Sequence, residues 1–169
     1  MELGLTWPLQ RLLKISVPYG SEAARGFCWD AHCITLHGES ALLLVHCESR
    51  FTCCRFAMTK LDWNSLETVA LEEIRMGLLE AGVEKNSAAR YLAAAGEFNM
   101  TRTHGRREVA FLNLAWNDVL ASDLLVDRNQ NHQPLLNSVI NEKLCRCAGE
   151  ERHASAKEHL LRYFERSLW

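Results

Sequence analysis

Three groups of residues in this chain have the types and spacing to do chemistry. The densest lies between Phe27 and Met58, which holds five of the seven cysteines and three of the seven histidines. If a hairpin closes there around a three-residue loop, His32 stands opposite His46 on one face. Cys28, two pleats away, and Cys54 or Cys53 on a third strand then complete a mixed nitrogen and sulfur set of the kind zinc accepts. Against this stand the absence of any C-x-x-C pair and the unusual spacing of Cys145-x-Cys147. Free cysteine also packs as a small hydrophobe. The expectation is therefore a cysteine-rich core and no cofactor, with zinc on His32, His46, Cys28 and Cys54 as the metal alternative. A cysteine nucleophile needs a histidine within hydrogen-bond reach. Cys33 and His37 are neighbours in sequence only, and adjacent strand residues such as His46 and Cys47 point to opposite faces.

The second group, Arg102, His104, Arg106 and Arg107, surrounds Gly105 just before an expected helix. Free N–H groups and the positive dipole end at a helix start favour anions, so these cations form a candidate anion or nucleic-acid contact. The competing reading is a solvated turn. The third group is apolar: Leu160, Leu161, Phe164 and Leu168 form one stripe on a C-terminal helix. That stripe docks either on its own domain or, as a helix-in-groove anchor, on a partner or a second copy of the chain. No phosphate-binding loop, dinucleotide fingerprint, H-E-x-x-H or G-x-S-x-G occurs, and no catalytic residue is assigned.

These groups need elements to hold them. Three apolar runs from Phe27 to Met58, separated by Gly38-Glu39-Ser40 and Glu48-Ser49-Arg50, read as an antiparallel meander with Ala41–Val45 central. Residues 59–82 read as one amphipathic helix, with Trp63, Leu66, Ala70, Ile74 and Leu78 on its buried side and Asp62 or Thr59 as its cap. A short helix over 87–95, a fourth strand over 97–104, and helices after Gly105, over 135–147 and over 151–169 follow. Before the meander, Pro8 opens a short helix. The expected fold is α+β, an antiparallel sheet of three to four strands packed by five to six helices. It comprises one domain over residues 1–149 and a helical extension over 150–169.

Composition narrows the function class. A 169-residue chain that is 48% hydrophobic and 24% charged can close a core by itself. The net charge of −2 lacks the basic excess of a general nucleic-acid binder. No signal-peptide pattern or membrane-length apolar run is present, and seven cysteines suit a reducing cytosol, so a cytoplasmic protein without membrane association is expected.

The order of features resembles an uncharacterised bacterial family, a domain of unknown function, over roughly residues 9–145. The resemblance rests on Leu12-Leu13-Lys14, Trp29, Ala31, Leu42 to Val45, Glu48, Phe51, Gly96-Glu97, Thr101, Thr103, Arg106 or Arg107, Val109, Asn113 and the Asn141–Leu144 segment. The family pattern prefers asparagine where His32 and His46 stand. The resemblance implies a shared fold and assigns no catalytic residue. The expected function is a small macromolecule-binding protein without enzymatic activity, with a protein as partner. A mobile-element or defence-related inhibitor of the anti-restriction or anti-CRISPR type is one form it would take. The alternative is a nucleotide or nucleic-acid processing enzyme, metal-assisted or not, working at the Arg102–Arg107 turn.

Overall fold

The computed structural model describes residues 1–20, 24–147 and 153–167. Its elements are β1 (Glu2–Leu5), α1 (Trp7–Leu13), β2 (Cys28–Leu36), β3 (Glu39–His46), β4 (Thr52–Arg55), α2 (Lys60–Asn64), α3 (Leu66–Glu80), α4 (Lys85–Ala94), β5 (Asn99–Arg102), α5 (Arg106–Ala121), α6 (Pro134–Asn141), β6 (Leu144–Cys145), β7 (Ala154–Ser155) and α7 (Ala156–Arg166). The fold is α+β. Five strands form one sheet in the order β4-β3-β2-β1-β5, and β6 and β7 form a separate two-stranded ladder. No helix among the described residues is long and apolar enough to cross a membrane.

The meander β2-β3-β4 is antiparallel as expected, but the sheet as a whole is mixed. β1 runs parallel to both β2 and β5 and joins them. Its sequence, ELGL, carries no strand alternation because it is a central strand in which all four residues are buried, the glutamate included. The meander thus continues through β1 to β5, and the expectation of a purely antiparallel sheet is corrected.

The β2–β3 turn fixes which side chains share a face. It contains two residues, His37 and Gly38, with φ of 49° and 85°. Two successive left-handed residues make the tight turn whose twist matches that of paired strands. The register that follows sets Trp29 opposite His46, Ala31 opposite Leu44 and His32 opposite Leu43. Two cores result. Trp29, Leu42, Leu44 and Cys53 meet α1, α2, α3, α4 and α7 on one face, through Leu9, Trp63, Ile74, Tyr91 and Leu160 among others. Ile34, Leu43, Val45 and Cys54 meet α5 and α6 on the other, through Phe111, Leu112, Val119, Leu136 and Ile140. Helices therefore cover both faces of the sheet.

Local signals decided several boundaries. Thr59 caps α2 in a capping box with Asp62. The helix expected over 59–82 breaks at Ser65, whose φ of −115° and ψ of 33° separate α2 from α3. The helix expected over 135–147 stops at Asn141, because the chain beyond it pairs as β6 with β7, a non-local partner. α6 instead closes the sheet edge. Asn137 Oδ1 accepts from the Cys54 N–H at 2.9 Å, and Asn141 both accepts from the Thr52 N–H at 2.8 Å and donates to the Thr52 carbonyl at 2.7 Å. Side-chain amides four residues apart stand in for a sixth strand and block edge pairing.

α3 crosses β4 at Gly77. A Cβ there would lie 2.4 Å from Cys53 Sγ, itself fully buried. Gly77→Ala is expected to destabilise the fold by roughly 1–3 kcal/mol through overpacking despite the better helix propensity of alanine. Urea denaturation reads the loss, and Cys53→Ala in the same chain should recover most of it.

Candidate functional site

The parallel strands β1, β2 and β5 deliver chemistry to the face beneath α5. Parallel register sets Glu2 beside Cys28 and Gly4 beside Asp30. His104, two residues beyond β5, folds back over them. Its Nδ1 lies 2.6 Å from Asp30 Oδ1 and its Nε2 lies 3.2 Å from Glu2 Oε2. Cys47 Sγ is 3.6 Å from the same Nδ1. Gly4 leaves the room for this pair, since a Cβ at Gly4 would lie 2.0 Å from Asp30 Oδ1 and 2.9 Å from His104 Nδ1.

Burial opposes a charge on His104, but hydrogen bonds to Asp30, Cys28 and Cys47 outweigh it and raise its pKa. Burial likewise raises the Asp30 pKa, with His104 pulling the other way. A proton held on the imidazole between two carboxylates satisfies all three groups. Burial pushes the Cys47 thiol up to about 12, so it stays protonated at neutral pH. Cys47, His104 and Asp30 superficially match a nucleophile, base and orienting acid. However, the sulfur and the Asp30 carboxylate both face Nδ1, whereas a relay needs one partner on each ring nitrogen. This is a charge cluster that fixes strand ends, not an activated thiol.

The predicted histidine and cysteine set does not assemble. The observed two-residue turn sets His32 opposite Leu43 rather than His46, a shift of three residues from the loop expected, and because that shift is odd His32 and His46 fall on opposite faces. Cys54 shares the His32 face but lies two strands away beyond Leu43. Cys28 belongs instead with Glu2 and His104. His46 is completely buried, with Nε2–H donating to Gly26 O at 3.0 Å and Nδ1 accepting from the Ser49 N–H at 3.3 Å. Both ring nitrogens of a neutral imidazole are thereby used. Burial lowers its pKa from 6.5 to about 4.

The cations around Gly105 also part company. Arg102 donates to Val17 O at 3.4 Å and stacks over Tyr19, while Arg107 pairs with Glu108 at 3.0 Å. His104 is turned into the sheet, and of the two exposed members Arg102 is held by Val17 and Tyr19 while Arg106 stands at the start of α5. With Glu2, Asp30 and Glu108 all buried close by, the turn is not a convergent anion cradle. On α7, Leu160 and Phe164 are buried in the protein's own core and Leu161 packs against it. Leu168 lies outside the described residues.

A crevice of about 400 Å³ opens on the same face, one pleat beyond Asp30, lined by Thr6, Trp7, Pro8, His32, Thr103, Val109, Leu112, Asn113 and Trp116. Its position follows from topology. α1 leaves β1 toward one face of the sheet and α5 follows the adjacent parallel β5 onto the other. Diverging connections at the carboxyl ends of neighbouring parallel strands open a cleft there. His32 Nδ1 lies 2.8 Å from Thr6 Oγ1, and its ring meets Trp116 edge-on with centroids 5.3 Å apart. Burial lowers the His32 pKa, so the ring is neutral near pH 7. Trp7 is 68% exposed at the rim. No lining side chain is formally charged at that pH. Sequence reading flagged His32 as a ligand and missed Thr6, Trp7 and Trp116 as its neighbours, because only the β1–β5 pairing brings them together.

A family model described as a domain of unknown function, DUF6933, matches residues 2–159, nearly the whole chain. No curated protein sequence matches.

Two outcomes test the buried groups. His104→Ala leaves Asp30 and Glu2 buried without their countercharge and should cost about 3–5 kcal/mol in chemical denaturation. Asp30→Asn combined with His104→Asn should cost less than the sum of the two single changes. For His46, the lowered folded pKa means that the unfolded chain binds the extra proton. Its stabilisation is complete above pH 6.5 and is lost as pH falls toward 4. His46→Gln should abolish that part of the acid slope, worth about 2 kcal/mol, when urea stability at pH 7 and pH 4.5 is compared.

Proposed function

Because the chain belongs to the DUF6933 family, whose description assigns no activity, we propose from the crevice geometry that it is a non-enzymatic binding protein with another protein as partner. One observation carries the reading: a crevice of about 400 Å³ flanked by Trp7 and Trp116, with His32 at its wall and no charged lining side chain. Apolar lining with a few placed polar groups suits an uncharged side chain. Exposed tryptophan is the residue type that most often anchors a protein interface. The occupant is an apolar side chain of the partner, held against Trp116 with a hydrogen bond available at His32 or Thr6.

The absence of charge disfavours a phosphate-bearing ligand in this crevice, and the cations near Gly105 that would recognise one are largely engaged within the fold. Against catalysis, His32 has Thr6 on Nδ1 and the Trp116 ring at its edge, and neither is a carboxylate that could orient a base. A nuclease inhibitor acting in host defence is one protein of this kind.

Affinity capture with the full chain tests the reading. A stoichiometric protein partner should be recovered by the wild type, survive nuclease treatment, and fall at least tenfold with Trp7→Ala plus Trp116→Ala, a loss of at least about 1.4 kcal/mol. Arg106→Ala should leave recovery unchanged. Recovery that depends on nucleic acid and on Arg106, or that ignores both tryptophans, overturns the proposal.

A further inference from the structure

A second constellation lies at the far end of the chain, away from the crevice. Cys145 is in β6, Cys147 follows it, and His159 stands in the first turns of α7. The ligand-capable atoms of all three lie within 4.8 Å of one another. Cys147 and His159 are buried, while Cys145 is half-buried and lines a hollow of about 230 Å³ together with Arg50, Phe111, Asp118 and Lys143.

The local structure holds these groups firmly. β6 and β7 pair antiparallel with Cys145 beside Ala154, which brings the start of α7 over the cysteines. A capping box then sets the helix: Ser155 Oγ accepts from the Glu158 N–H at 3.1 Å, and Glu158 Oε2 accepts from the Ser155 N–H at 2.8 Å. His159 follows directly, and its Nε2 lies 3.3 Å from Cys145 O, a contact that fixes the ring against the hairpin. Carbonyl contacts of this kind orient metal-ligating imidazoles.

We propose that Cys145, Cys147 and His159 form a Zn²⁺ site with its fourth position open toward the adjoining hollow. Two thiolates and an imidazole favour a borderline-soft ion over Mg²⁺ or Ca²⁺, which take oxygen ligands. Tetrahedral zinc with bonds of about 2.3 Å to sulfur and 2.0 Å to nitrogen separates its ligand atoms by roughly 3.5–3.8 Å, within the spacing here. Three protein ligands and one exchangeable position is the open form of zinc site. The ion would supply what the hairpin lacks, since a ladder of two residues per strand closes β6 and β7 with few hydrogen bonds. It would also tie the hairpin to α7, whose Leu160 and Phe164 reach into the core. Glu2, Cys28 and His104 and Asp30, Cys47 and His104 are the two rival sets among the described residues, but in both the imidazole is already shared between two carboxylates.

The test uses the full chain purified under reducing conditions, with elemental analysis and Co²⁺ titration. About one equivalent of zinc, a thiolate-to-cobalt charge-transfer band and a rise in melting temperature on adding Zn²⁺ are expected. Cys145→Ser with Cys147→Ser should abolish all three readouts, and Cys28→Ser with Cys47→Ser should leave them. Should the first variant fail to fold, the wild-type cobalt spectrum together with metal retention by the second variant decides. Less than about a tenth of an equivalent of zinc with no charge-transfer band, while all seven thiols remain reduced, overturns the site. Loss of metal only when Cys28 and Cys47 are replaced overturns it as well.

Discussion

The two-residue turn at His37-Gly38 is the constraint from which the rest of the sheet follows. Strand side chains alternate with a period of two, so one residue more or fewer in that turn exchanges every side chain between the two faces. With two residues, Trp29, Ala31, Leu42 and Leu44 face the larger helical layer, and Ile34, Leu43 and Val45 face α5 and α6. His46 then sits beside Trp29 with ring centroids 4.9 Å apart, sharing the Gly26 carbonyl with Tyr91, whose hydroxyl donates to it at 2.8 Å. His32 is left on the opposite face, where it forms the wall of the crevice. A single register thus makes one histidine structural and the other available.

Buried charge is handled by pairing across elements that are distant in sequence. His104 is clasped by Asp30 and Glu2, which pins the loop after β5 to the strands beside it. A second clasp joins His132 to Glu73 at 2.6 Å and to Glu80 at 2.6 Å, with Arg55 Nη1 3.8 Å from the Glu73 carboxylate. That clasp ties the segment before α6 to α3 across β4. Removing one partner from such a set leaves an uncompensated buried charge, which costs far more than the intact pair contributes. Titratable groups are in both places consumed by architecture.

The crevice comes from a different source, the divergence of α1 and α5 from adjacent parallel strands. Neither helix alone defines a pocket. Only with β1 inserted between β2 and β5 do Trp7, His32 and Trp116 converge, and the space between them contains no charge for a polar ligand to pair with. This arrangement is why a protein side chain, rather than a nucleotide, is the occupant we favour.

Much of the fold was legible locally. The β2–β3–β4 meander, the Thr59 cap, the buried stripe of α3 and the start of α5 after Gly105 all follow from short-range patterning and turn chemistry. So does the apolar face of α7. What the tertiary structure decided was long-range pairing. ELGL became a central parallel strand, Leu144–Cys145 left an expected helix to pair with Ala154–Ser155, and Asn137 and Asn141 turned their amides to a sheet edge. The chemistry moved with those pairings: the Cys28–Cys54–His32–His46 set dissolved, while Glu2, Asp30, Cys47 and His104 gathered from four separate segments. Residue types and local periodicity are properties of neighbouring positions, so the sequence by itself determined where most helices lie, the meander and the apolar stripes that face inward. Register and strand order depend on contacts between residues as much as a hundred positions apart, such as Glu2 and His104. Only the folded chain decides those, because their energies exist only once the sheet has closed.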